Sequence, residues 1–329
     1  MHVNPHPPPQ TTASTAPFVF SFDRNLLLQA EVTLSTLVAR ATKQTELLLY
    51  VLSRRDEIPV DARERLRNIA TQSHLGRVHF LDVGDAFSDA FEVRGITIPT
   101  YYRLLLPDLL PQHDTILYLD VDTVICADLD PLLEIELGDD LLGGVKAVFP
   151  NRDRERLASL GITPGTYVNA GVLVMNLAAM RRENLQEQFL ELAQRDFTFQ
   201  DQDILNLTCT GRIRHLPPRF NVHAMFDYRK HRAYAEELFP AAEIDEALRN
   251  PAILHYAGNK PWNGPGCFFY DRWWEAYRES PAFNLDDYLD HQAGLIRAEA
   301  ERAGAQQANT SSARGLRSFL PRRLRRLRR

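Results

Sequence analysis

Cysteine is scarce. Cys126, Cys209 and Cys267 are the only three in 329 residues, and they lie far apart with no CxxC pair. That argues against a disulfide framework or a zinc–thiolate site and suits a reducing compartment. No stretch approaches the ~20 apolar residues that span a bilayer. The opening MHVNPHPPPQTTASTAP has no apolar run, so it does not read as a secretory signal. No internal repeat is visible. These absences predict a protein made and kept in the cytoplasm.

Negative charge is not lacking overall, but one region has none. The net charge is −5, whereas residues 314–329 carry eight arginines and no acid. Setting those eight aside leaves −13 for residues 1–313. An acidic body is a poor nucleic-acid partner, and a basic tail on it suggests a separate job. Leu324 and Leu327 share a face after Pro321, with Leu320 just ahead and arginines around them. The tail is therefore expected to act as a short amphipathic, membrane-associating element. It would give a cytoplasmic protein held peripherally at the inner face of an anionic membrane surface.

What is present is ordinary globular composition, 44% hydrophobic and 25% charged. Residues 1–16 are rich in Pro and Thr and read as a disordered leader. From Phe18, strand patterns at 16–22, 45–53, 77–83 and 115–125 alternate with helical ones at 25–41, 60–73 and 100–110. A strand at 167–177, helices over 178–195 and from 201, and a strand at 253–258 follow. Such alternation predicts an α/β fold with a mostly parallel sheet covered on both faces. The domain plan is a catalytic domain at 17–291, a polar Ala-rich stretch at 292–313 that reads as a weak helix running into a linker, and the basic tail at 314–329.

The segment ILYLDVDTVI delivers two carboxylates two residues apart, so in a strand Asp120 and Asp122 would point the same way. In an open α/β sheet, ligands bind beyond the C-terminal strand ends. Hard oxygen ligands there suit Mg²⁺ or Mn²⁺, with a substrate diphosphate completing the shell. A solvated acidic turn, with Asp128 and Asp130 as more of the same, is the plain alternative. A calcium loop fails because Val124 and Ile125 stand where an oxygen ligand and Gly are needed. A haloacid-dehalogenase-like phosphatase could use DVDTV, with Lys146 or Asp139 and Asp140 in its other motifs. That motif normally opens its fold, and here about a hundred ordered residues precede it.

Five segments in order resemble glycosyltransferase family 8, the retaining transferases that include bacterial lipopolysaccharide galactosyl- and glucosyltransferases and glycogenin. They are VFSFD (19–23), TYYRL (100–104), LYLDVDT (117–123), NAGVLVMNL (169–177) with FQDQDILN (199–206), and HYAGNKPW (255–262). The resemblance implies a GT-A type, Rossmann-like nucleotide-sugar-binding fold. It also implies roles. Ser21, Phe22 and Asp23 would meet the uracil or ribose of a UDP-sugar, and Arg103 its phosphates. Asp120, Asp122 and His255 would ligate Mn²⁺, with Val121 between the two carboxylates at the donor. Asn169, Asp201 and Gln202 would face the donor sugar as catalytic residues. Gly258 and Lys260 would hold the diphosphate.

Residue chemistry agrees with these roles. His255 follows the short apolar run AILHY, Gly258 lets backbone approach a phosphate, and Lys260 adds a point charge. Asn169 offers both a donor and an acceptor. Asp201 reads as a helix N-cap as well as a sugar ligand. One departure is that only Asn259 separates Gly258 from Lys260, where many family members have two residues. The aromatics Trp262, Phe268, Phe269, Tyr270, Trp273 and Trp274 could stack on an acceptor, though most read as core.

The expected activity is transfer of galactose or glucose from a UDP-sugar to a glycan or glycolipid acceptor, as in lipopolysaccharide or surface-glycan synthesis. An inactive sugar-nucleotide-binding protein is the alternative from another class. Gln202 is a poor nucleophile, so same-face attack is favoured over a covalent sugar intermediate.

Overall fold

The structure is a computed structural model that describes residues 14–41, 45–72, 76–88, 98–149, 151–226, 229–264, 266–298 and 300–301. Most of the leader and the whole basic tail lie outside the described residues. By internal contacts the chain divides into one unit through Ala282 and a second from Phe283.

The first unit is built on a seven-stranded sheet. In chain order its strands are β1 (Ser14–Ser21), β2 (Thr45–Ser53), β3 (Arg77–Asp82), β4 (Thr115–Leu119), β6 (Leu142–Lys146), β7 (Val168–Asn176) and β8 (Ile213–His215). A separate pair is formed by β5 (Thr123–Ile125) and β9 (Ile253–His255). Across the main sheet the order is β3-β2-β1-β4-β7-β6-β8, and only β7 runs against its neighbours. The mostly parallel α/β sheet expected from the sequence is thus the one observed.

Alternate residues of the central strands feed two different cores. Phe18, Phe20, Leu49, Val51, Leu117 and Leu119 pack on one face. Val19, Tyr50, Leu52, Ile116 and Tyr118 pack on the other. This is the period of two expected when helices cover both faces, and it explains why these strands read as continuous apolar runs. β1 begins at Ser14, earlier than the sequence suggested, because Ser14 already pairs with Thr45. Pro17 is tolerated there one residue before the ladder to β4 starts at Phe18.

Other boundaries shift for identifiable reasons. The segment 115–125 is two strands in two sheets, not one. The helix expected over 100–110 is a 3₁₀ turn (Ile98–Leu105) running into Leu106–Leu109, with Pro107 at the start of the second piece. The helix expected over 178–195 breaks into Leu177–Arg182 and Leu185–Leu192 at Asn184, whose φ of 53° is left-handed. In the second unit, residues 285–298 are helical. Asn284 caps that helix, its side chain accepting from the Asp286 and Asp287 N–H groups.

Candidate active site

The break between β4 and β5 builds the site. β4 ends at Leu119, and the Asp120 N–H then donates to the Gly171 carbonyl at 2.8 Å. The chain turns out of the main sheet over Asp120–Val121–Asp122 and enters β5, where Thr123 pairs with His255 of β9. Buried Thr33 pins this turn, its hydroxyl 2.7 Å from both the Val121 and Thr123 carbonyls. The two carboxylates therefore converge through a clamped turn rather than through strand alternation. A cavity of about 670 Å³ opens above them, at the ends of β1, β4 and β7.

Asp120, Asp122 and His255 each offer one ligand atom, all within 4.8 Å of one another. His255 Nε2 lies 3.3 Å from Asp122 Oδ1 and 3.8 Å from Asp120 Oδ2. Two carboxylates with one imidazole suit a divalent cation such as Mn²⁺. Gly171 makes this approach possible. A Cβ there would stand 2.2 Å from His255 Cε1 and 2.8 Å from Asp120 Oδ2. Lys260 ion-pairs with Asp122 Oδ2 and donates to the Tyr256 carbonyl at 2.8 Å. Burial works to raise the Asp122 carboxyl, but the Lys260 ammonium and then His255 outweigh it and hold it far below the usual carboxylate range.

Arg103 is 3% exposed and committed to the cavity wall. Its guanidinium donates to Asp120 Oδ1 at 2.9 Å and to the Ala170 carbonyl at 2.5 Å, and it pairs with Asp201 at 3.0 Å. It also lies over the Tyr118 ring at 4.1 Å. It orients Asp120 directly, in addition to any phosphate contact the resemblance implies. Burial pushes the Asp201 carboxyl up to about 6, with Arg103 working against the rise. Thr100 Oγ1 donates to Asp201 Oδ1 at 2.7 Å.

Asp201 does not cap its helix. Helix Gln200–Thr208 has Phe199 as N-cap, and the Phe199 N–H is taken by Asp203 Oδ2 at 2.9 Å. Asp203, rather than Asp201, is the carboxylate that reaches back over the first turn. Gln202 Oε1 accepts from Asn169 Nδ2 at 3.1 Å and from the Ala170 N–H at 2.9 Å.

The remaining expected residues are placed unevenly. Ser21, Phe22, Arg103, Asp120, Val121, Asp122, Asn169, Asp201, Gln202, His255, Gly258 and Lys260 all line the cavity. Gly258 has φ +107°, which only glycine adopts readily. Ser21 spends its hydroxyl on the Pro99 carbonyl at 2.5 Å. Asp23 is buried behind the rim and caps the following 3₁₀ turn through the Asn25 N–H. Trp273, Trp274 and Phe268 are core, and Trp262 packs on Trp273. Lys146 faces Phe239, and Asp140 pairs with Arg214. Neither lines the cavity above Asp120, where the phosphatase reading would need them.

Several residues of the site carried no recognised signal in the sequence. His223 is 5% exposed and lines the cavity, and burial, then His255, pushes its imidazole down to about 3. Asn221 accepts from His255 Nδ1 at 2.9 Å. Both reach the site because Val222 bridges to Leu254, a long-range contact that local pattern does not announce.

A model of glycosyl transferase family 8 matches residues 17–265. The chain is 27% identical over 238 residues to General stress protein A of Bacillus subtilis (strain 168), covering 69% of this chain and 80% of that protein. It is 23% identical over 265 residues to the lipopolysaccharide 1,3-galactosyltransferase of Salmonella typhimurium (strain LT2), covering 76% and 73% respectively. Among solved structures, the galactosyltransferase LgtC with donor and acceptor sugar analogs superposes with a TM-score of 0.67 at 27% identity, over 82% of this chain and 98% of that one. The bifunctional glycosyltransferase WbbM gives 0.70 at 27% identity over 84% of this chain, which spans only 51% of that larger one.

Proposed function

This chain belongs to glycosyltransferase family 8, and on that premise we propose that it moves galactose or glucose from a UDP-sugar to a glycan acceptor with retention at the anomeric carbon. The reading is carried by one observation. Asp120, Asp122 and His255 bring three ligand atoms within 4.8 Å at the floor of a cavity large enough for a nucleotide sugar. We assign this trio to a divalent cation, with Mn²⁺ favoured because it accepts mixed nitrogen and oxygen ligands. Such a cation supplies Lewis acidity to the leaving diphosphate.

The chain's own groups complete the chemistry. Arg103 keeps Asp120 oriented. Lys260, now on Asp122, is within reach to release it and neutralise diphosphate charge, and Gly258 lets the backbone close on a phosphate. Asn169, Asp201 and Gln202 would orient the sugar. Asp201 makes a poor nucleophile, since both its oxygens are engaged by Thr100 and Arg103 and it is buried. The Gln202 amide oxygen already accepts two hydrogen bonds. Attack from the leaving-group face, with the departing phosphate taking the acceptor's proton, fits this arrangement better than a covalent intermediate. The preorganised charges would then stabilise the diphosphate as it forms. We further assign the basic tail to an anionic membrane surface, which favours a glycolipid acceptor such as lipopolysaccharide.

The test is a screen of purified protein against nucleotide sugars, reading released nucleotide with and without Mn²⁺. A UDP-hexose should react only with the cation present, and Asp120→Ala and Asp122→Ala should abolish transfer while leaving the circular dichroism spectrum unchanged. The coupling constant of the product should report an α linkage from the α donor. Full turnover in chelator, or a β product, would overturn the reading.

A further inference from the structure

Five hydrogen bonds donate in one direction from His255 into the protein, and a sixth, donated by Arg156, ends the chain at Asp203. His255 Nδ1 meets Asn221 Oδ1 at 2.9 Å, and Asn221 Nδ2 donates to Asn169 Oδ1 at 2.8 Å. Asn169 Nδ2 donates to Gln202 Oε1 at 3.1 Å, and Gln202 Nε2 donates to the Tyr167 hydroxyl at 3.1 Å. The Tyr167 hydroxyl donates to Asp203 Oδ1 at 2.6 Å, and Asp203 Oδ2 receives Arg156 at 2.8 Å.

Amide orientation and imidazole tautomer are ordinarily assignments, because oxygen and nitrogen look alike. Here the backbone decides both. The Gly171 N–H donates to Asn169 at 3.0 Å, so the receiving atom must be oxygen. The Ala170 N–H donates to Gln202 at 2.9 Å and fixes that amide in the same way. With Asn169 Oδ1 an acceptor, Asn221 must turn its Nδ2 towards it. Its Oδ1 then faces His255, and an amide oxygen can only accept. His255 Nδ1 must therefore carry a proton, and the lone pair of the neutral ring lies at Nε2, the nitrogen nearest Asp120 and Asp122.

We infer that Asn221 is a positioning residue that holds His255 as the Nδ1–H tautomer with Nε2 directed at the two carboxylates, and that the N–H groups of Ala170 and Gly171 set the direction of the whole chain. The same chain holds Gln202 and Asn169, so the cation ligands and the residues assigned to the sugar share one hydrogen-bonded support. Tyr167 and Asp203 close its far end. They satisfy Gln202 but do not decide the tautomer. The functional importance of the tautomer rests on the cation reading above; its existence does not.

The experiment uses full-length protein labelled with ¹⁵N-histidine, free of metal, at alkaline pH where an imidazole is neutral. Multiple-bond ¹H–¹⁵N spectra distinguish the tautomers, and His255→Gln identifies the signal. Wild type should show a protonated Nδ1 and a bare Nε2. Asn221→Leu should give a mixture of tautomers and weaken Mn²⁺ binding, read by electron paramagnetic resonance, about ten- to a hundredfold. Asn221→Asp keeps an acceptor for Nδ1–H while losing the donor to Asn169 Oδ1, and should restore the wild-type tautomer. Tyr167→Phe should leave the tautomer unchanged.

A protonated Nε2 in the neutral wild-type ring would overturn the inference and needs no variant to fold. So would an Asn221→Leu protein with wild-type tautomer and affinity. Wild-type protein that binds no Mn²⁺ would instead overturn the cation reading, while the metal-free spectrum still decides the tautomer.

Discussion

At the scale of single residues, the site depends on what is missing from Gly171 as much as on what its neighbours carry. The glycine lies inside β7, where glycine often marks a close approach by another group. Here the approaching group is the His255 ring. Gly171→Ala should therefore leave the sheet folded but push His255 away from Asp120. Misplacement on the order of 1 Å can cost about a hundredfold in rate. Transfer should fall at least that far and Mn²⁺ affinity should drop with it; near-normal values of both would show that the ring can shift without loss.

His223 gives a pH effect whose sign can be worked out. Burial lowers its folded pKa from 6.5 to about 3, so the unfolded chain binds a proton between those values and the folded chain does not. Its contribution to stability is present above pH 6.5 and is lost as pH falls towards 3. The largest slope is roughly 1.4 kcal/mol per pH unit. His223→Leu should flatten the fall of unfolding free energy between pH 6.5 and 4, measured by urea denaturation. An unchanged slope would mean that His223 already charges in the folded state.

At the scale of elements, legibility followed burial and length. β2 was read with its observed bounds because TELLLYVLS is long, apolar and buried on both faces. β6 (LGGVK) and β8 (IRH) were not recognised. Two glycines weaken the first, three residues leave no period in the second, and both exist as strands only by pairing in the sheet. The same limit governed the site. Asp120, Asp122 and His255 were legible because ordered motifs carry them. Their geometry was not, since it arises from the change of sheet between β4 and β5 under Thr33. Nor was the path from Asn221 through Tyr167 to Asp203, whose members are scattered between positions 167 and 221 and meet only in three dimensions.

At the scale of the whole molecule, charge is segregated along the chain. The body carries −13 through residue 313, and the last sixteen residues carry eight arginines. A body of this charge is repelled by an anionic surface, so the attachment proposed above would have to come from the tail. Each arginine near such a surface contributes about 1 kcal/mol, so eight could hold the protein with little apolar insertion. The helix over 285–298 adds a second feature. Leu285, Leu289 and Ile296 are exposed and spaced four and seven apart, so they share one face just ahead of the basic segment. Attraction of charge alone predicts strong salt dependence, because screening shortens its reach to about 3 Å at 1 M salt. Cosedimentation with vesicles containing anionic lipid, compared between the full chain and a truncation after Ala313, separates the two contributions. The full chain should pellet with the vesicles at low salt and release at high salt. The truncated chain should remain in the supernatant and keep its activity on small soluble acceptors. Retention of the full chain at high salt would assign the attachment to the apolar face of 285–298, and equal behaviour of both chains would remove the tail from membrane attachment altogether.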